Sequence, residues 1–174
     1  MSNNRNSKKH RCAKGEPDMT NQEFQNRVRN CERKLYGMAY MLLHTSADCE
    51  DAVQEALLRA WQKLRNLRDE RYFETWLTRI VINECKNQLA RKKRRGEAPL
   101  DPKLAAPASP EPELHAALMQ VEWKYRILLT LKYIDGYSVE EISRILTLPK
   151  GTVSSRLNRA KALLKGYLRG DDEA

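Results

Sequence analysis

Apolar residues recur at three- and four-residue spacing on both sides of a polar middle stretch. Leu35, Met38, Ala39, Leu42 and Leu43 mark one stripe, and Thr20-Asn21-Gln22-Glu23 ahead of them forms a capping box, so a helix is predicted to open there. A second predicted helix, over residues 47–64, carries Val53, Leu57, Ala60, Trp61 and Leu64. A third, over residues 73–95, turns Phe73, Trp76, Leu77 and Ile80 to one side. Three such helices make a small bundle. Further on, the period predicts one helix over residues 114–133 through Leu118, Val121, Tyr125, Leu128 and Leu129, stopped by Asp135-Gly136-Tyr137. Ser138-Val139-Glu140-Glu141 is a second capping box, opening a short helix that ends near Leu146. Leu148-Pro149-Lys150-Gly151 then leads tightly into a last helix over residues 152–168. A short helix, a sharp turn and a basic helix form the helix-turn-helix pattern.

The stretch between the two halves holds five of the seven prolines, Pro99, Pro102, Pro107, Pro110 and Pro112. Proline withholds a backbone donor and biases its neighbour to extended backbone, so a linker is expected there. The predicted fold class is all-α: two small helical domains, a three-helix bundle over residues 20–95 and a helix-turn-helix domain over residues 113–169. An acidic, proline-rich linker over residues 96–112 joins them, and a disordered basic leader covers residues 1–19. Seven glycines and seven prolines in 174 residues are too few for an all-β chain. A mean hydropathy of −0.74 and the lack of any long apolar run argue against a membrane-spanning helix. The leader lacks the apolar stretch of a secretory signal, so a cytoplasmic protein with reduced thiols is expected. Cys12, Cys31, Cys49 and Cys85 form no Cys-x-x-Cys pair and His10, His44 and His115 are scattered, so neither a metal site nor a cofactor is predicted.

Charge sharpens the picture. The net formal charge is +9, but residues 61–95 carry 11 basic against 4 acidic residues, residues 150–170 carry 6 against none, and residues 96–116 carry 1 against 4. Two cationic blocks thus flank an acidic spacer. On the last helix Lys150, Thr152, Ser154, Ser155, Arg156, Asn158, Arg159 and Lys161 lie off the apolar stripe, with the residue types that bond base edges in a major groove. On the third helix Arg79, Asn83, Lys86 and Asn87 share one face, and Lys92, Lys93, Arg94 and Arg95 follow as candidate phosphate contacts. The second helix differs in kind: Asp51, Gln54, Glu55, Leu58 and Gln62 make an acidic and amide stripe that DNA would repel, which points to a protein partner.

Residues 48–61, Asp-Cys-Glu-Asp-Ala-Val-Gln-Glu-Ala-Leu-Leu-Arg-Ala-Trp, and 73–83, Phe-Glu-Thr-Trp-Leu-Thr-Arg-Ile-Val-Ile-Asn, resemble the promoter-melting domain of extracytoplasmic-function sigma factors of the sigma-70 family. Tyr125-Arg126, residues 133–142 and residues 148–160, Leu-Pro-Lys-Gly-Thr-Val-Ser-Ser-Arg-Leu-Asn-Arg-Ala, resemble their C-terminal promoter-reading domain. The resemblance covers residues 20–168 and implies a non-catalytic, dissociable subunit of bacterial RNA polymerase, often serving a stress response. It implies that Asp51, Gln54, Glu55 and Leu58 grip the clamp helices of the beta-prime subunit, with the beta subunit a further partner. Asn83, Lys86, Asn87 and Arg79 would read the minus-ten element, and the loop over residues 66–72 would help hold a base flipped from the duplex. The C-terminal helix would read the minus-thirty-five element, chiefly through Ser154, Ser155, Arg156 and Arg159. An anti-sigma factor is implied as a partner, and the acidic linker would thread polymerase channels as an RNA mimic. Val121-Glu122 stands where many members have Leu-Pro, and Ser154 where many have a basic residue. The rival reading, a stand-alone helix-turn-helix repressor, lacks a dimer interface and leaves the acidic stripe unexplained. A DNA-processing enzyme would need clustered carboxylates or a metal set.

Overall fold

The computed structural model describes residues 19–67, 69–96 and 112–169, and among them all regular structure is helical. The predicted linker beyond Gly96, the leader up to residue 18, and with them His10 and Cys12, lie outside the described residues.

Helix α1, Asn21–Leu43, opens at Thr20 with the full capping box, and Met19 and Phe24 hold the two staple positions around it. Both are buried, Met19 at 4% exposure, so Met19, expected in the leader, belongs to the folded lobe. His44 in the left-handed region, φ 76, ends α1. Helix α2, Ser46–Gln62, starts where the Thr45 hydroxyl accepts the Asp48 amide. Single 3₁₀ turns at Leu64–Asn66 and Glu70–Tyr72 lead into α3, Phe73–Arg94. Ala52, Ala56 and Ala60 recur along the inner face of α2, and their small side chains let α2 lie close against Leu35, Met38 and Leu42 of α1 and Leu77 and Val81 of α3.

In the C-terminal lobe the predicted single helix over residues 114–133 is interrupted. Helix α4, Pro112–Gln120, and α5, Trp123–Leu129, are separated at Val121 and Glu122, where Glu122 takes extended backbone at ψ 139. Neither residue breaks a helix by propensity; burial of Val121 beside Leu118 and Tyr125 settles the local geometry. The chain leaves α5 through a π-turn, Thr130–Ile134, and Gly136 at φ 76 makes the left-handed bend into Tyr137. Helix α6, Val139–Leu146, has its predicted capping box, and α7, Lys150–Arg169, completes the helix-turn-helix. Pro112 is the first residue of α4, where its missing N–H costs nothing.

The two lobes are not held apart. Ile127, Leu128, Leu131, Tyr137, Ile142, Ile145, Val153 and Leu157 join the α1–α3 core in one continuous apolar cluster, with α6 laid against α3. Polar groups cross the boundary as well. The Arg126 guanidinium reaches the Leu42 carbonyl, 3.5 Å, in the last turn of α1, which has no base of its own. The Tyr137 hydroxyl meets Thr78 Oγ1 at 2.9 Å and donates to Glu74 at 3.0 Å, while the Lys34 ammonium sits 3.9 Å over its ring. Burial of Leu128 and Leu131, neither with accessible surface, drives this closure in preference to two separate cores.

Candidate nucleic-acid and protein interface

The acidic stripe stands on the outer side of α2: Asp51 and Gln54 are exposed, Glu55 half-exposed, and Leu58 is 60% exposed. Because the buried alanines occupy the opposite side of α2, the stripe has no role in the core. Glu55 is braced by Arg59 Nε at 3.0 Å, and the Arg59 guanidinium also reaches Glu84 on α3 at 2.7 Å. Glu84 is 2% exposed, so this ion pair ties the rear of the stripe to a buried carboxylate on α3.

A groove of about 510 Å³ runs between the stripe and the end of α3. Its α2 wall is Asp48, Asp51, Gln54, Glu55 and Leu58, and its α3 wall is Gln88, Arg91, Lys92 and Arg95. Lys92 closes an ion pair with Asp48 at the floor, with the Thr45 hydroxyl on the same carboxylate. The expected set of phosphate contacts therefore divides: Lys92 is already paired and Arg95 lines the groove, while Lys93 and Arg94 are exposed elsewhere on the helix. Helical spacing of Gln88, Arg91, Lys92 and Arg95 was the sequence signal for this second row.

Arg79, Asn83, Lys86 and Asn87 are all exposed and fall in one row along α3. The Asn87 amide lies 3.4 Å from both Glu84 carboxylate oxygens, a loose contact. At the head of α3 the turn Glu70–Tyr72, in the loop expected to help hold a flipped base, is tied down by Arg27, which bonds the Glu70 carbonyl at 2.9 Å and pairs with its carboxylate. Tyr72 is 43% exposed, with the Arg144 guanidinium of α6 5.0 Å over its ring. Trp76 is half-buried against the core, as its place beside Phe73 predicts.

On α7, Val153, Leu157 and Ala160 are buried, and Ser154, Ser155, Asn158 and Arg159 are exposed on the far side. Thr152 and Arg156 sit at the flanks and are half-buried. Lys150 is exposed but pairs with Glu140 of α6 at 2.8 Å, which holds the Glu140 carboxyl below its ordinary range. The Arg159 guanidinium lies 5.7 Å over the Tyr125 ring, so α5 props it at the edge of this exposed face. On the other side of this lobe Leu114, Leu118, Leu129, Tyr133, Ile134, Leu164 and Leu168 line an apolar hollow of about 420 Å³, with Lys161 and Lys165 at its rim.

Titratable groups elsewhere favour structure over chemistry. Burial pushes the Cys31 thiol up to about 11 and Cys49 to about 12, so these free cysteines stay protonated. Two of the three histidines meet: His44 and His115 lie edge to face, 5.7 Å apart, with His115 stacked on Tyr40. Burial and the nearby Arg126 charge lower both, His44 to about 4. A buried cation beside the pair disfavours a metal, and no cluster of three metal-ligating side chains occurs among the described residues. Asp135 is pushed up to about 7 by its burial at the lobe boundary, opposed by the Lys34 charge and aided by the Glu74 carboxylate. No helix among the described residues is long and apolar enough to cross a membrane.

The profile for Sigma-70 region 2 matches residues 27–95 and that for Sigma-70, region 4 matches residues 112–164. Similar curated proteins include the ECF RNA polymerase sigma factor SigM of Mycobacterium tuberculosis, 34% identical over 153 residues, 83% of this chain and 78% of that one. The RNA polymerase sigma-H factor of Pseudomonas aeruginosa is 31% identical over 161 residues, 79% of this chain and 82% of that one. Among solved structures, the sigma factor RpoE of Bartonella quintana, in complex with the anti-sigma factor NepR, has the same fold at TM-score 0.72 and 22% identity, over 85% of this chain and 98% of that one. CnrH in complex with the cytosolic domain of CnrY matches at TM-score 0.70 and 25% identity, over 88% and 92%. Two sigma regions in sequence, each on its own lobe, disfavour the repressor. The chain belongs to the extracytoplasmic-function sigma factors of the sigma-70 family, the promoter-directing subunits of RNA polymerase.

Proposed function

We propose that the stripe Asp51, Gln54, Glu55 and Leu58 is the surface by which this sigma factor docks on core RNA polymerase, at the clamp helices of the beta-prime subunit. In the docked enzyme Arg79, Asn83, Lys86 and Asn87 read and hold the melted minus-ten strand. Ser154, Ser155, Asn158 and Arg159, flanked by Lys150, Thr152 and Arg156, read the minus-thirty-five element from the major groove. The chain itself catalyses nothing; it lends the polymerase its promoter choice, in the cytoplasm where the polymerase works. The observation that carries this is separation by face: the acidic stripe and the two cationic rows are exposed on different sides of the helices that bear them. A protein partner can therefore be held without covering DNA-reading side chains. Like the neighbours crystallised with NepR and CnrY, this chain is held by an anti-sigma partner, for which the apolar hollow between α4, α5 and α7 offers a seat.

The elements to be read lie about 25 base pairs apart, or roughly 85 Å at 3.4 Å per pair. A closed body of this size has a radius of gyration of about 14 Å. The lobes must therefore part on the enzyme, and the chain between Gly96 and Pro112 is long enough to span roughly 55 Å. Run-off transcription with purified core enzyme on a genomic promoter library tests the proposal. Specific start sites are expected, and Asp51→Arg should abolish association with core while Arg159→Ala preserves it and degrades promoter choice. Equal core affinity of Asp51→Arg and the unaltered chain overturns the docking assignment.

A further inference from the structure

The basic run that ends α3 is divided by helical geometry between two faces. Asn83, Lys86, Asn87, Lys93 and Arg94 form one exposed row. Gln88, Arg91, Lys92 and Arg95, roughly 140° further round α3, turn to α2 and line the groove whose opposite wall is the docking stripe. The groove is thus bipolar, with carboxylates on one wall and guanidinium and ammonium groups on the other. Its floor is satisfied internally by the Lys92–Asp48 pair. On the acidic rim Asp51 makes no ion pair among the described residues. On the basic rim the Arg91 Nε is buried without a hydrogen-bond partner among the described residues, an incomplete environment for a guanidinium.

We infer that Arg91 and Arg95 are docking residues for the core polymerase rather than phosphate contacts, and that the helix seated in this groove is itself bipolar, with a base facing Asp51 and Glu55 and a carboxylate about one turn away facing Arg91 and Arg95. The inference rests on the docking role proposed for the α2 stripe and extends it to the second wall. A bidentate carboxylate suits the arginines, whereas a nucleic-acid backbone is repelled by Asp51 and Glu55 across the groove. Charge complementarity sets the register: a helix with bases only would face the arginines, and one with acids only would face the stripe.

Arg94→Glu and Arg95→Glu, adjacent and both exposed, separate the two rows with the same chemical change at the same helix end. Any helix-dipole penalty is common to both. Core affinity is read by anisotropy of the labelled full chain titrated with purified core polymerase. DNA contact is read as the salt dependence of holoenzyme binding, at saturating core, to a promoter fragment obtained from the run-off assay. Arg95→Glu should weaken core binding about tenfold and leave the slope of log K against log salt unchanged. Arg94→Glu should leave core affinity within about twofold and lower that slope by about one. Arg95→Gln, which removes charge without reversing it, should fall between Arg95→Glu and the unaltered chain in core affinity. If Arg95→Glu keeps its core affinity and loses a unit of salt slope, the second wall belongs to DNA and the inference is overturned. Loss of core binding in Asp51→Arg with unchanged binding in Arg95→Glu overturns the inference alone; unchanged binding in Asp51→Arg overturns the docking role of the stripe itself.

Discussion

The contact between the lobes can be weighed by removing one oxygen. In Tyr137→Phe the ring stays, 5% exposed, and keeps its packing and the Lys34 ammonium above it. The lost hydroxyl had accepted from Thr78 and donated to Glu74. Glu74 is about half exposed, pairs with Lys34 at 2.6 Å and can turn to water, so its share is small. Thr78 is 1% exposed and has no such recourse: a buried hydroxyl left without a partner costs about 1–3 kcal/mol. We therefore expect Tyr137→Phe to lower stability by about 2 kcal/mol, a fall in Tm of roughly 4–8 °C for a chain of this length.

Urea and thermal unfolding of Tyr137→Phe, Thr78→Val and the double variant complete a cycle. Once one hydroxyl is gone the other has nothing left to satisfy, so the double variant should cost little more than either single one, with a coupling of about 1 kcal/mol or more. Additive costs, or a Tyr137→Phe change within about 0.3 kcal/mol, would refute the reasoning. So would unfolding in two separate steps with Tyr137→Phe felt only in the C-terminal lobe, because the hydroxyl contacts would then not be made in solution.

Two groups near the lobe boundary titrate in opposite senses. Asp135, raised from 3.8 to about 7, keeps in the folded chain a proton that the unfolded chain has released, so its contribution to stability falls as pH rises through that interval. His44, lowered from 6.5 to about 4, refuses a proton that the unfolded chain takes up, and its contribution falls as pH drops from 6.5, with His115 adding in the same sense. Between about pH 4.5 and 6.5 Asp135→Asn should therefore gain stability with rising pH more steeply than the unaltered chain, by up to about 1.4 kcal/mol per unit; parallel urea-midpoint profiles for the two would refute the assignment. Ser138→Ala removes the capping oxygen that accepts the Glu141 amide at 3.2 Å and should cost about 1 kcal/mol by chemical denaturation, in the unaltered chain and in Tyr137→Phe alike. Arg59→Ala strands the 2%-exposed Glu84 carboxylate and should cost about 3 kcal/mol, most of it recovered by adding Glu84→Gln; no recovery in the double variant would mean that packing of the arginine stem matters more than its charge.

Helix type and place were legible wherever a polar cap met an apolar stripe. Thr20 with Glu23 and Ser138 with Glu141 start α1 and α6 as their spacing predicts, because a capping box is a local device that needs no tertiary partner. The break between α4 and α5 was not legible as a break, since Gln120, Val121 and Glu122 carry neither glycine nor proline and only burial of Val121 beside Leu118 and Tyr125 selects it. Closure of the lobes was hidden for the same reason. Leu128, Leu131 and Tyr137 read equally well as the core of a separate small domain, and the hydrophobic effect is blind to which apolar partner completes the burial. Met19, just ahead of a polar cap, had too little periodicity around it to be assigned to the core.

The interface shows where sequence reading stops more sharply. Asp51, Gln54, Glu55 and Leu58 could be picked out because an acidic face with one exposed leucine is odd in a basic chain, and oddity of charge survives without coordinates. The five consecutive bases from Arg91 to Arg95 could not be divided in the same way, since a run of like charge has no internal contrast. Consecutive residues on a helix point about 100° apart, so such a run must face nearly every direction, and what each base does is set by what it faces. Asp48 takes Lys92 into an ion pair and the α2 wall draws in Arg91 and Arg95, which leaves Lys93 and Arg94 to the row that already holds Asn83 and Asn87. A basic run at a helix end next to an acidic helix is therefore poor ground for counting phosphate contacts. Its salt dependence should report two bases, Lys93 and Arg94, where composition alone offers five.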